Sequence, residues 1–230
     1  MAKHVSKNLK KVREIFDSSK EYTLVEAMEI AKKTSFVKFD ASIDLALNLN
    51  LDTRKAEQQL RGSVLLPNGT GKQVRVLVAT DDTEQQKASK EAGADIVVNS
   101  VDLEDILKKE KFDFDVMVAE PKMMITLGKY GKVLGPKGLM PNPKTGTVTP
   151  ETAKAVEELK KGKANYRADK SGIIHSLIGK VSMDANKLAE NADTLIQLIK
   201  KLKPSTVKGT YMKSVYVSTT MGPSIKIKID

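Results

Sequence analysis

The residues of this chain that could do chemistry are few, and the most telling of them lie near its end. Ser218-Thr219-Thr220-Met221-Gly222-Pro223-Ser224 joins two strand-like runs in the most basic part of the sequence. Its hydroxyls can bond phosphate or ribose 2′-hydroxyl groups, Gly222 permits close backbone approach, and Met221 offers an adaptable apolar surface. Ser, Gly and Pro make any ordinary hairpin turn as well, but a plain turn has no need of methionine at its tip. A second unusual stretch spans residues 128–146, dense in glycine and proline. Between residues 121 and 150 the chain carries five lysines and no acid. Glycine and proline fix an irregular backbone there, while Val133, Leu134, Leu139 and Met140 supply apolar anchors. An ordered loop packed on its own domain and a contact with another domain or a phosphate backbone are both open readings.

Other chemistries lack their residues. Cysteine is absent, which removes disulfides, thiol nucleophiles and cysteine metal sites together. With His4 and His175 alone, a histidine-rich metal centre is also excluded, and no cofactor or metal is expected. His175 lies in an apolar-flanked run with no nucleophile elbow nearby, so composition favours a structural histidine over a catalytic base. The turn at residues 80–84, Thr-Asp-Asp-Thr-Glu, follows a β-rich run where a nucleotide-binding fold would place its phosphate loop. It has no glycine and carries three acids, the wrong charge for a pyrophosphate. Lys144-Thr145-Gly146 and Ser205-Thr206-Val207-Lys208 match two motifs of penicilloyl-serine enzymes, in reversed order and without the third.

Charge points toward a polyanion. The 230 residues hold 39 basic and 29 acidic side chains, unevenly placed. Residues 1–67 carry 12 basic and 9 acidic groups, residues 68–159 carry 13 and 15, and residues 160–230 carry 14 and 5. Both ends are therefore basic and the middle is mildly acidic. Such an excess attracts phosphate, although a basic surface also serves solubility. Aromatic content of 4% with no Trp speaks against a base-stacking platform for single strands, and suits folded RNA read by shape, backbone and 2′-hydroxyls. No apolar run is long enough for a membrane span, and none follows the basic N-terminus as in a secretory signal. A soluble cytoplasmic protein is expected.

The elements that must position these residues follow from periodicity. In the middle, β-rich runs at residues 74–79, 95–99 and 115–119 alternate with helical stretches at 83–92, stopped by Gly93, and 103–110. Pro121 fits the first position of another helix. Alternation of this kind means crossover units and a parallel sheet. In the flanks, Thr23-Leu24-Val25-Glu26 is a capping box opening a helix to about Lys33. Residues 41–51 place Ile43, Leu45, Leu47 and Leu49 on one face and Asp44, Asn48 and Asn50 on the other, a strand with one side on a core. Strand patterns return at 173–181, 211–217 and 225–229, around a helix at 186–202 ended by Pro204. Neither flank makes a complete core alone. The expected architecture has two domains, α/β and α+β: a discontinuous α+β domain from both chain ends (1–67 and 160–230), with an inserted Rossmann-like parallel-sheet domain (68–159). Its paired crossings, near 67–71 and 160–163, suit a hinge and a fixed interface equally.

At the two unusual stretches the chain resembles the large-subunit ribosomal protein L-one family, the protein of the mobile stalk beside the tRNA exit site. Residues 134–143 (Leu-Gly-Pro-Lys-Gly-Leu-Met-Pro-Asn-Pro) with Gly146-Thr147-Val148 resemble its signature in the inserted domain. Residues 214–224 resemble its C-terminal RNA-binding segment, and Lys38-Phe39-Asp40, Arg61-Gly62, residues 71–76, residues 91–95 and residues 169–175 are further matches. The likeness runs from about Lys7 to the C-terminus. It implies a split RNA-binding domain joined by a hinge to a Rossmann-like insert. The implied partners are a helical junction of large-subunit ribosomal RNA, exit-site tRNA and the protein's own messenger RNA. Carried over by motif, Lys38, Phe39, Ser42, Ser214, Thr220, Met221 and Gly222 lie on the RNA-binding surface. Asp169, Lys170, Ser171 and His175 border it. The chain departs from the family at Ala41 and Asp44, where glutamate is frequent. The resemblance thus implies a non-catalytic, ribosome-associated protein, monomeric when free, that helps release deacylated tRNA and represses its own synthesis. Two other readings are a Rossmann-type nucleotide enzyme and a general architectural protein binding duplex DNA and RNA alike.

Overall fold

The computed structural model describes residues 12, 14–109 and 112–229. The basic stretch 1–11, His4 within it, and Glu110 at the expected end of a helix lie outside the described residues. The elements run α1 (Leu24–Lys33), β1 (Ser42–Leu49), β2 (Arg61–Leu65), β3 (Val76–Ala79), α2 (Thr83–Glu91), β4 (Ile96–Val98), α3 (Ser100–Lys109) and β5 (Val116–Ala119). There follow α4 (Met124–Lys129), α5 (Gly131–Leu134), α6 (Thr152–Lys160), β6 (Lys163–Arg167), β7 (Ile173–Lys180), α7 (Ala185–Lys201), β8 (Met212–Thr219) and β9 (Ser224–Ile227). They gather into two compact units, one reaching to Gly71 and resuming at Ala164, the other Lys72–Lys163. The first is a discontinuous α+β domain built from both chain ends, the second an inserted Rossmann-like parallel-sheet domain.

The split unit is built on an antiparallel sheet in the order β7-β1-β8-β9. Strand β1, from before the insertion, pairs on both sides with strands that follow it. Its alternation buries Ile43, Leu45, Leu47 and Leu49 together with Ile174 and Ile178 of β7, Val215 and Val217 of β8, and Ile225 and Ile227 of β9. Helices α1 and α7 cover that face. Helix α1 begins in the expected capping box: Glu26 N donates to Thr23 Oγ1 at 3.4 Å and Thr23 N to the Glu26 carboxylate at 3.1 Å. The Thr23 backbone N–H holds the Glu26 carboxyl below its ordinary range. Helix α7 buries Leu188, Ala192, Leu195 and Ile199 at spacings of three and four. A two-stranded β2–β6 sheet completes the unit. Periodicity did not announce it, because Gly62 interrupts the alternation of β2; a side chain there would run into the Tyr166 ring of β6.

One buried polar side chain ties the departing chain to this core. Asn191 of α7 is fully buried. Its Nδ2 donates to Gly69 O at 2.9 Å and Ile178 O at 2.8 Å, and its Oδ1 accepts from Asn68 N at 3.1 Å. Every polar group of the amide is used, so it adds direction without leaving a buried donor open.

In the insert, β3 lies between β4 and β5, all parallel. Helices α3, α4 and α5 pack on one side through Leu103, Leu107, Leu127 and Leu134. Helix α6, which the sequence reading missed, packs Ala155, Val156 and Leu159 on the other. Pro121 opens a 3-10 turn, Pro121–Met123, that leads into α4. The glycine- and proline-rich stretch is an ordered loop on its own domain. Leu134 is buried, Leu139 and Met140 pack on the same cluster, and Thr147 O accepts from Ala119 N at 2.9 Å to extend the sheet edge.

Two aspartates clamp the entry of the parallel strands. Asp95 accepts from Lys160 Nζ at 2.7 Å and from Val76 N at 2.8 Å, and these two donors, Lys160 first, hold its carboxyl below the usual value of 3.8. Asp115 accepts from Arg75 N at 3.1 Å and Lys72 Nζ at 3.0 Å, with the same downward effect, Arg75 first. Strand β3 starts at Val76, two residues after the β-rich run begins.

Two outcomes follow. Replacing Asn191 by leucine leaves the buried Ile178 carbonyl and the half-buried Gly69 carbonyl and Asn68 N–H without this partner, and should cost about 2–5 kcal/mol, read as a lower urea midpoint of the split unit. For Asp95 and Asp115 the native pKa values are depressed, so their contribution is present above a pH of about 4 and disappears as pH falls through the native values. Urea melts at pH 6 and pH 3 should show a smaller acid-induced loss in a variant carrying Asp95→Asn and Asp115→Asn than in the parent chain.

Candidate nucleic-acid interface

The same alternation that builds the core of the split unit leaves the other sheet face turned outward. On it lie Ser42, Asp44, Ala46 and Asn48 of β1, Ile173, His175 and Leu177 of β7, Ser214, Tyr216 and Ser218 of β8, and Ser224 and Lys226 of β9. Not one of these side chains is buried. Cross-strand register sets them in rows: His175, Ala46, Tyr216 and Lys226 in one, and Leu177, Asp44, Ser218 and Ser224 in the next. The outcome is a shallow surface of hydroxyls, amides and small apolar groups.

At one end of this face stands the β8–β9 turn. Gly222 N donates to Thr219 O at 2.8 Å and closes it. Thr220 is stapled to the start of β1: its N donates to Ser42 O at 3.0 Å, and its Oγ1 accepts from Ser42 N at 3.2 Å. Met221 at the tip has φ of 65°, the one described non-glycine residue with positive φ. A left-handed conformation costs a residue with a Cβ roughly 1–2 kcal/mol, and such strain tends to sit where a side chain must be aimed. Met221 is 71% exposed and Phe39, in the loop entering β1, is 58% exposed. At position 222 an added Cβ would collide with the Thr219 hydroxyl, so glycine is required by space. The entering loop is pinned through Asp40, which accepts from Ser182 N at 3.1 Å and Ser182 Oγ at 2.9 Å.

The turn before β7 lies at the far end, beyond Asn48, about 20 Å away along β1. There Asp169 Oδ1 accepts from Ser171 N at 2.8 Å and Ile173 N at 2.9 Å. One oxygen of its carboxylate closes the turn, and Asp169, Lys170 and Ser171 are all exposed there. Thr53 Oγ1 donates to Lys170 O at 3.0 Å and steadies the same turn.

The predicted residues thus do not converge on one pocket. Ser42, Thr220, Met221 and Gly222 group at one end, with Lys38 and Phe39 on the loop leading there. His175 and Ser214 lie on the open face between, and Asp169, Lys170 and Ser171 close the other end. His175 is exposed on the sheet surface, which corrects the composition-based reading of it as a core histidine. Sequence reasoning passed over Tyr216 and Lys226, which continue its row; the alternation Ser214, Tyr216, Ser218 was the signal that could have found them. The Asp44 carboxyl is raised above its ordinary 3.8 by partial burial, with His175 drawing it back. Lys226 is bound to Glu21 at 2.7 Å. No group of side chains suited to a metal ion occurs among the described residues.

In the insert, the edge where a nucleotide fold binds phosphate is occupied by the protein's own carboxylates. Asp82 Oδ1 accepts from Glu84 N at 3.0 Å at the start of α2, and Asp81 Oδ1 from Ser100 N at 2.8 Å at the start of α3. Thr80 Oγ1 donates to Glu120 at 3.0 Å. Carboxylates of this chain thus stand where a pyrophosphate would need positive potential.

Comparison with known proteins finds relatives along the whole chain. The chain is 69% identical over 232 residues to a protein of Mycoplasma mobile, and 66% identical over 230 residues to one of Metamycoplasma arthritidis, each alignment covering 100% of both chains. A third, from Mycoplasmopsis pulmonis, is 67% identical over 230 residues with the same full coverage. All three carry the name large ribosomal subunit protein uL1. A family model described as Ribosomal protein L1p/L10e family matches residues 31–223, from the last turn of α1 through the Met221 turn, and the chain belongs to that family.

Proposed function

We propose that this protein is a constituent of the large ribosomal subunit whose split domain binds the stalk junction of large-subunit ribosomal RNA. One observation carries the reading: an uncovered, mostly uncharged sheet face ends in a strained, exposed Met221 turn and in the Lys170 turn. Hydroxyls and amides at fixed register suit the sugar edges and backbone of a folded RNA, and lysines at the ends supply salt-dependent attraction. Phe39 and Met221 provide apolar contacts against exposed sugar or base surfaces. Through this surface Lys38, Phe39, Ser42, Ser214, Thr220, Met221 and Gly222 contact RNA, bordered by Lys170, Ser171 and His175, while Asp169 acts by shaping its turn.

Three finer roles belong to the same proposal. Carried on a flexible RNA stalk, the protein assists release of deacylated tRNA from the exit site. A similar junction in its own messenger RNA would compete for the same face, so that free protein represses its translation. Off the ribosome it is a cytoplasmic monomer. The nucleotide-enzyme reading gains nothing from the insert, where Asp81 and Asp82 cap two helix starts with negative charge.

The test is a competition assay between a stalk-junction RNA fragment and a plain RNA duplex of equal length, repeated over a salt series. The junction should win at every salt concentration. Equal binding of both, lost together as salt rises, would reduce the face to a basic surface. Met221 separates fold from function. Met221→Gly removes the left-handed strain and should raise stability by up to about 1 kcal/mol while weakening junction binding. Met221→Asp should weaken it further, because a carboxylate then faces the RNA backbone. Unchanged affinity in both folded variants would remove the turn from the interface.

A further inference from the structure

We propose that Asp44 and His175 form a proton-linked couple in the middle of the open face, so that RNA binding takes up a proton and tightens as pH falls. The inference rests on the reading of this face as the RNA surface. Asp44 stands opposite Leu177 and Ala46 opposite His175, which makes the two side chains diagonal neighbours on adjacent strands, on one side of the sheet. Such diagonal positions are about 7–8 Å apart, within electrostatic reach.

The surroundings single out this pair. On β9, Lys226 is held by Glu21 at 2.7 Å. At the end of β7, Lys180 lies 3.8 Å from Asp40. Before β7, Asp169 is bound by two backbone N–H groups, next to Lys170. Beyond β9 lies exposed Lys228, and β8 contributes Ser214, Tyr216 and Ser218, none of them charged. The Asp44 carboxylate has no hydrogen-bond donor among the described residues, and partial burial favours its neutral form. Histidine is the side chain that ordinarily changes charge between pH 5 and 8.

A carboxylate at this point opposes phosphate, and an imidazolium attracts it. An RNA backbone laid on the face therefore favours protonation of both groups. The complex then holds more protons than the free protein, and by linkage its affinity rises with acidification. The deprotonated couple at high pH leaves one negative charge facing the RNA.

The experiment measures binding of a labelled stalk-junction RNA fragment at constant ionic strength from pH 5.5 to 8.5. The intact protein, His175→Gln and Asp44→Asn are compared. The parent affinity should fall about 3- to 10-fold between pH 6 and pH 8, as expected for release of up to one proton. His175→Gln should flatten that slope, and Asp44→Asn should bind more tightly than the parent at pH 7.5. With two histidines in the whole chain, proton NMR can follow the His175 ring directly, and its titration midpoint should move to higher pH in the complex. Tight binding with no pH slope in the parent, or a slope kept by His175→Gln, overturns the couple and leaves the interface standing. No binding of the junction at any pH overturns the interface itself, and the couple with it.

Discussion

Strand β1 can be stable only between two strands that the chain supplies more than 120 residues later. Its backbone groups bond β7 on one side and β8 on the other, and its four inward side chains meet helices from both chain ends. Because strand side chains alternate with a period of two, a slip of one residue would exchange Ile43, Leu45, Leu47 and Leu49 for Ser42, Asp44, Ala46 and Asn48 in the core. The penalty for that exchange holds the register. The same register aligns His175, Ala46, Tyr216 and Lys226 across four strands, so the proposed binding face is the reverse side of the core's own specification.

That dependence also explains the place of the insert. The chain can leave and re-enter the split domain because the departing segment is held by Asn191 and the insert closes its own cores. Within the insert, acids hold backbone N–H groups at both edges of the parallel sheet. Asp95 and Asp115 satisfy N–H groups at the start of the sheet, and Asp81 and Asp82 do so at its other edge. The mild negative charge of residues 68–159 is thus partly structural. The lysine-rich loop is ordered by Leu134, Leu139 and Met140, and its four lysines remain exposed.

Much of this was legible in residue order. The capping box at Thr23, the alternation of β1 and the stop of α2 at Gly93 are local signals, and each element formed where its signal stood. The family likeness was legible in the two unusual stretches. Other features carried no local signal. Helix α6 follows a proline-rich stretch and has a short apolar stripe, and β2 is interrupted by Gly62, whose reason is the Tyr166 ring a hundred residues on. Asp169 was carried over by motif as bordering the RNA surface, and its carboxylate also closes the turn before β7.

What the sequence determined by itself is most of the elements and their apolar faces, the charge contrast between flanks and middle, and the chemistry available at residues 38–42, 169–175 and 214–224. Those properties are written in spacing and residue type, which act over a few positions. Tertiary structure alone decided that these three segments share one sheet face, that Met221 is held in a left-handed turn by its staple to Ser42, and that Asp44 and His175 become diagonal neighbours. Each of these depends on hydrogen-bond register between strands far apart in the chain, and register is a property of the paired sheet, not of any strand within it.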